Sequence, residues 1–186
     1  EHILKIQGIM TQIMKATVAI GYGSPDVLQL QEVKKPIAKS NEVLVRVMTA
    51  SATTADAMMR TGKPYIARLF VGLTKPKKSI PGTGFAGIVE QVGKDVTNFE
   101  IGDRVFGETA FGFSSNAEYL TISEHGVILP MPENLDFSEA ANFCDGHLTS
   151  FNFLKEIAKL KPDQKVLING ASGALGTSAI QIAKYM

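Results

Sequence analysis

The sequence predicts a mainly β domain that passes into an α/β unit near its carboxyl end. Three observations carry that expectation. Short apolar stretches bounded by Gly, Pro, Asp and Asn recur from Lys15 to about Pro132, which is the spacing of a barrel or a sandwich. The period then changes to that of helices over Glu133 to Gln164, with acids at the start and Pro162 near the end. Finally, "KVLINGASGALGTSAIQIAKYM" closes the chain as an apolar strand, a glycine-rich turn and a helix.

Each element follows from its own residues. "KATVAI", "VLQLQEV" and "EVLVRVMTAS" form a meander separated by "GYGSPD" and "KKPIAKSN". In the third stretch Val43, Val45 and Val47 fall on one face, and Arg46 and Met48 on the other. "TTADAMMRTG" predicts a short helix capped by Thr53 or Thr54 and stopped at Gly62. "KPYIARLFVGLTKPKKSIPG" follows as a long connection, and long connections are often functional. "GTGFAGIVEQVG", "GDRVFGE", "NAEYLTIS" and "GVILPMP" are further strands. "KVLING" is continuously apolar, as in a buried parallel sheet, and Leu175, Ile180 and Ala183 are the packing positions of the last helix. The boundary is expected near Asp145, dividing the chain into a domain at 15–144 and a second unit at 145–186.

Composition excludes several classes. The 186 residues are 45% hydrophobic, enough for one ordinary domain and a piece of another. Lys and Arg number 19 against 18 Asp and Glu, so no net field draws in nucleic acid or an anionic membrane. The single cysteine, Cys144, permits no internal disulfide and makes a reducing, cytoplasmic setting the default expectation. No apolar run approaches the ~18 residues of a membrane span, and the amino end lacks signal-peptide features. Residues 1–14 are expected to be a leader or tail, with Met10 as a candidate natural start.

The turn from Asn169 to Gly176 carries the clearest chemistry. A phosphate site at a strand-to-helix turn needs outward N–H groups, a helix N-terminus, and glycine where a Cβ would hold the pyrophosphate away. Here Gly170 would make the tight turn, Gly173 would admit phosphates and Gly176 would let helix and strand pack closely. Ala171, Ser172, Ala174 and Leu175 complete the loop. A plain tight turn is the alternative, but the flanking strand and helix are the context that a dinucleotide fingerprint requires.

Taken together, "GSPDVLQLQEV", "EVLVRVMTASATTADAMMRTG", "IPGTGFAGIVEQVGKDVTNFEIGDRVFG", "NAEYLTIS", "LTSFNFL" and "KVLINGASGALGTSAIQIAK" resemble the medium-chain dehydrogenase/reductase superfamily, in its zinc-independent quinone oxidoreductase-like branch. The resemblance runs from about Lys15 to Met186. It implies a GroES-like, partly open β-barrel with the substrate site, followed by a Rossmann fold of which the chain carries the first βα unit, truncated. It also implies NADPH, with NADH not excluded, bound in the cleft between the two.

Zinc-dependent members of the superfamily take ligands from three places, which here hold Thr53, Thr83 with Gly84, and Asp145. Catalytic zinc needs three protein ligands, so no zinc is expected. An alcohol must lose a proton before it gives up hydride, and zinc makes that feasible near neutral pH. Without zinc, a quinone or α,β-unsaturated carbonyl is the fitting substrate, because it is already electrophilic.

The same resemblance supplies candidate site residues. Thr53 sits where quinone reductases commonly carry Asn, so its hydroxyl would face nicotinamide or carbonyl; a helix N-cap explains it equally well. Asp56, in the same segment, is most simply a first-turn acid. Tyr65, in the pocket-lining connection of relatives, would donate to an oxyanion, or else be a packed loop aromatic. Thr149 matches a position against the nicotinamide ring, the alternative being a mid-helix polar contact. Cys144 and His147 read as a buried thiol and a linker histidine, and Lys75, Lys77 and Lys78 as a solvated loop.

Two other readings stand beside the reductase. One is an alcohol dehydrogenase-like enzyme. The other is a catalytically silent GroES-like binding module, because one strand and one helix cannot bury both faces of a nucleotide sheet. Exposed apolar surface is then expected near Val166, Leu167 and Ile168, which favours oligomers. A homo-oligomer with a small-molecule substrate is the partner expectation.

Overall fold

The strand of residues Gly84–Val92 (β4) lies at the centre of the larger sheet because its sequence, GFAGIVEQV, is apolar on both faces. Phe85 and Val89 enter one core cluster with Val43, Val45, Phe99, Val105, Leu120, Ile122 and Ile128. Ala86 points into a second cluster on the opposite face, with Phe106, Met131, Ala140, Ala141 and Cys144. A strand covered on both sides cannot alternate apolar with polar, hence the continuous run. Burying Phe85 fully stabilises by about 1.5–3 kcal/mol relative to leaving it in water.

The computed structural model describes residues 12–109 and 113–186. Around β4 are Glu42–Ala50 (β3), Arg104–Glu108 (β5), Tyr119–Ser123 (β6) and Val127–Pro130 (β7). The five-stranded sheet has the order β6-β3-β4-β5-β7 and every pairing is antiparallel. Ile13–Ala19 (β1) and Leu28–Lys34 (β2) form a separate hairpin, joined to the rest by a bridge between Ala16 and Ala117. The result is a curled antiparallel half-barrel, as the short spaced strands predict. β1 begins at Ile13 and buries Met14, Ala16 and Val18. The leading tail assigned to 1–14 therefore gives up its last residues to the barrel, because Met14 belongs to the alternating apolar set; residues 1–11 lie outside the described residues.

Polar groups tie the barrel's loops. Glu124 is buried, and its carboxylate accepts the N–H groups of Thr97 and Asn98 and the side-chain amide of Asn98. These bonds, led by the one from the Thr97 backbone, outweigh burial and hold its pKa below the ordinary carboxylate range.

The helix Thr54–Thr61 (α1) starts and stops where its residues direct, at Thr53 and at Gly62 in the left-handed conformation. The long connection after it contains a 3₁₀ turn at Tyr65–Ala67 and a short helix, Arg68–Val71 (α2). Phe137–Ala141 (α3) is capped by Asp136, which accepts the Glu139 N–H. The chain stays helical through wide π-type turns at Cys144–Leu148 and Asn152–Ile157, around Thr149–Phe151 (α4).

The last helix, Ala174–Tyr185 (α5), forms as expected. It packs on the preceding helical segment through Ser150, whose hydroxyl donates to the Leu175 carbonyl, and Ser178, near His147 Nδ1. The apolar stretch before it differs from expectation. Lys165–Ile168 pairs with no strand among the described residues, and Leu167 is 95% exposed. A strand is stabilised by its hydrogen-bonded neighbours, and none is present here. A gap of about 420 Å³ separates Val166 and Ile168 from Ile180 and Ala183. Exposed apolar surface at this place is what the sequence predicts.

Candidate active site

A cleft of about 390 Å³ opens between α1, α2 and the edge where β4 and β5 meet. Its walls include Met58, Met59, Pro64 and Val71, with Thr83 and Glu108 on the sheet side. The register pairs Gly84 with Glu108, which sets the Glu108 carboxyl beside the loop that carries Thr83. Along β5, Val105 joins the first core cluster and Phe106 the second. Glu108, two residues beyond Phe106, shares the face that packs on Ala141 and Cys144. Burial raises its pKa above the ordinary carboxylate range, and the negative charge of Asp145 raises it further.

Thr53 and Asp56 hold the cleft together. The Asp56 carboxylate accepts the Thr53 N–H at 2.8 Å and the Thr53 hydroxyl at 3.1 Å. Its other oxygen accepts the Gly82 N–H at 3.1 Å. One side chain thus caps α1 and fastens it to the loop bearing Thr83. Thr53 is half-buried at the N-cap, and its hydroxyl proton is committed to Asp56 rather than to the cleft.

Tyr65 is not among the residues lining the cleft. It is 66% exposed and lies under the Arg68 guanidinium, 4.8 Å from its ring centre. Its neighbours Pro64 and Ala67 form the wall instead. Thr149 is half-buried in α4 and also lies outside the cleft lining. The sequence reading missed Glu108. The available signal was its position: an acid two residues after a core phenylalanine in a strand faces inward.

Cys144 and His147 keep their structural readings. The thiol is buried, and burial, with help from the Glu108 charge, pushes its pKa up to about 11. His147 Nδ1 lies 3.1 Å from the Phe143 carbonyl, and the ring stacks on Phe143 at 4.1 Å.

The glycine turn depends on glycine at two of its positions. Gly170 has φ of 73°, a conformation that makes the tight turn and that L side chains rarely adopt. A Cβ on Gly176 would stand 2.3 Å from the Gly170 carbonyl oxygen and 2.5 Å from the Ala171 Cα, so only glycine lets α5 seat on the turn. At Gly173 a Cβ would meet only the Gly170 oxygen, at 3.5 Å, leaving open space on the loop's surface. No side chain caps α5 at Gly173, so the N–H groups of its first turn are available to an anion. Ala171, Ser172, Ala174 and Leu175 present this loop at half-buried to exposed positions. These features fit a dinucleotide pyrophosphate.

The positions that hold zinc in metal-dependent dehydrogenases do not suit it here. Gly84 has no side chain and the Thr53 hydroxyl is bonded to Asp56, so a three-ligand donor set cannot be assembled from them. Among the described residues, no three His, Cys, Asp or Glu side chains come together.

The half-barrel has known counterparts. The family model of the alcohol dehydrogenase GroES-like domain matches residues 39–133, just over half of the chain. The chain belongs to this family. Within it the GroES-like chain is a quinone oxidoreductase-like member of the medium-chain dehydrogenase/reductase superfamily. It is 35% identical over 174 residues to a quinone oxidoreductase of Sus scrofa, covering 93% of this chain and 50% of that protein. It is 34% identical over 181 residues to the 2-methylene-furan-3-one reductase of Solanum lycopersicum, covering 93% and 45% respectively. The solved quinone oxidoreductase of Coxiella burnetii superposes with a TM-score of 0.83 at 33% identity, covering 94% of this chain and 54% of that one. The chain spans about half the length of the curated relatives it matches. Among the described residues, no helix is long and apolar enough to cross a membrane.

Proposed function

We propose that this chain is part of a zinc-independent, NADPH-dependent oxidoreductase that reduces a quinone or an α,β-unsaturated carbonyl. The observation that carries the reading is an apolar cleft whose sheet side bears Glu108 and Thr83, the latter at one of the positions where the resemblance places zinc ligands in metal-dependent relatives. The turn from Gly170 to Gly176 would hold the pyrophosphate through backbone N–H groups and the α5 N-terminus. Nicotinamide, when bound, supplies a hydride. This chain's residues supply the rest. Met58, Met59, Pro64 and Val71 exclude water from a flat, apolar substrate. Thr53 and Asp56 position α1 against the Thr83 loop. The Thr83 hydroxyl, in the cleft wall, would steady the oxygen of the substrate where charge develops.

An alcohol finds no group here able to stabilise its alkoxide as a metal would. A quinone or an enone spreads the charge that hydride brings over its conjugated system, so a hydrogen-bond donor such as the Thr83 hydroxyl suffices. Steady-state NADPH consumption in the presence of a chelator tests this: turnover with a naphthoquinone or an enone, and not with simple alcohols or aldehydes, is the expected pattern. Turnover confined to alcohols and aldehydes would overturn the reading.

A second reading has one observation in its favour. Lys165–Ile168 has no strand partner among the described residues, and Leu167 is 95% exposed. On that reading this polypeptide acts by itself as a GroES-like binding module. Titration with NADPH, followed by nicotinamide fluorescence, separates the two: micromolar binding supports the reductase and no binding supports the module.

A further inference from the structure

We infer that Glu108 is the proton-bearing group of the cleft, a neutral carboxyl that donates a hydrogen bond to the carbonyl oxygen of an uncharged, apolar substrate and then its proton. The inference rests on the reductase reading of the cleft and names its substrate class and proton donor.

The geometry leads there in three steps. Glu108 ends β5 on the face that the core occupies, and it lines a cleft whose apolar walls include Met58, Met59, Pro64, Val71 and Phe113. It forms no hydrogen bond and no ion pair among the described residues, whereas the buried carboxylate of Glu124 is held by three N–H donors. Glu108 is half-buried, so its unbonded carboxylate is partly stripped of water, and taking up a proton relieves that cost. The charged and titratable groups around it are Asp145 and Cys144, from the helical segment packed on β5, and Lys63 on the α1 side of the cleft. Asp145 opposes ionisation of Glu108, and the thiol is neutral near pH 7. A substrate that fills the cleft removes further water and favours the neutral acid still more.

The chemistry balances. Hydride adds to the β-carbon of an enone, the C=C π pair moves to the α-carbon and carbonyl, and an enolate forms. Glu108 gives its O–H proton to that enolate and becomes a carboxylate, which solvent reprotonates after release. With a quinone the same proton goes to the oxygen of the hydroquinone anion. The cleft therefore selects neutral, flat carbonyl compounds. Anionic ones, such as carboxylates, approach the negative charge of Asp145 behind Glu108, with Lys63 the one lysine among the described lining residues.

Binding of 2-methyl-1,4-naphthoquinone, followed by quenching of tyrosine fluorescence across pH 5–8, tests the inference without any turnover. Affinity in the parent should fall as pH rises through the Glu108 pKa. In Glu108→Gln, which keeps a donor and cannot ionise, affinity should be flat with pH. Infrared difference spectra should show a protonated-carboxyl band that titrates above the ordinary Glu range and is missing in Glu108→Gln. Where turnover is measured, Glu108→Gln should reduce kcat by about 10²-fold, the lower bound for a positioned general acid, and remove its alkaline limb. Identical pH dependence of binding in parent and variant, or no titrating band, overturns the inference. Absence of turnover in the parent overturns the reductase reading alone, and the binding and infrared results still decide the role of Glu108.

Discussion

Replacing Gly176 and Gly173 separately by alanine should separate the architecture of the cradle from its use. At Gly176 the new Cβ would sit 2.3 Å from the Gly170 oxygen, and ordinary contact begins near 3.4 Å, so the backbone must yield by 1.1 Å (3.4 − 2.3). The obstructing atoms are backbone and cannot rotate away. Overpacking of this kind destabilises by about 1–3 kcal/mol, and alanine's better helix propensity returns up to about 1 kcal/mol. The expected net loss is about 1–2 kcal/mol. With a urea slope of about 2 kcal/mol/M, the midpoint falls by roughly 0.5–1 M. Gly173 differs. Its φ of −80° and ψ of 171° suit alanine, and the added Cβ makes one ordinary contact at 3.5 Å. Gly173→Ala should therefore keep its stability in urea within about 0.5 kcal/mol of the parent's. It should weaken NADPH binding about tenfold or more, equivalent to about 1.4 kcal/mol, because the methyl occupies the phosphate's approach. A neutral or stabilising Gly176→Ala, or a Gly173→Ala that binds NADPH as tightly as the parent, would refute this account of the turn.

Three further outcomes follow from the structure. Asp56→Ala removes the partner of both Thr53 and Gly82 and should lower stability by about 1–2 kcal/mol in urea, with Asp56→Asn losing less. Glu124 has a depressed folded pKa, so its contribution is full above the ordinary 4.5 and disappears as pH falls through the lower folded value. Thermal melts from pH 6 downward should show an acid loss in that window, and Glu124→Gln should be less stable at pH 6 with that loss reduced. Cys144, at about 11 against an ordinary 9.0, is about 100-fold poorer in thiolate near pH 8. Iodoacetamide should label it at least that much more slowly in the native protein than in urea, and labelling at equal rates would contradict the burial.

The fold was legible where one rule acted alone. Alternation placed Val43 and Val45 in the core, and Thr53 and Gly62 bounded α1 as their capping preferences require. Legibility ended where partners distant in sequence decide. "KVLING" carries the apolar signature of a sheet strand, yet strand pairing is a property of neighbours, and none pairs with it among the described residues. Leu44 lies on the face opposite Val43 and is nevertheless buried, because β3 runs beside β4 inside a sheet covered on both sides. Tyr65 follows a proline and opens a 3₁₀ turn, and that local geometry, absent from any residue pattern, puts it under Arg68 instead of in the cleft wall. Glu108 escaped notice because an acid at a strand end normally reads as solvated. Its meaning comes from Cys144 and Asp145, more than thirty residues later in sequence.

The central claim is hydride transfer to an electrophilic carbonyl without a metal. Its most direct measurement is mass spectrometry of the product formed from an enone and nicotinamide-deuterated NADPH in chelator-treated protein. One deuterium on the former β-carbon, at a rate unchanged by chelation, is the predicted result. A product without deuterium, or activity abolished by chelation and restored by zinc, would contradict it.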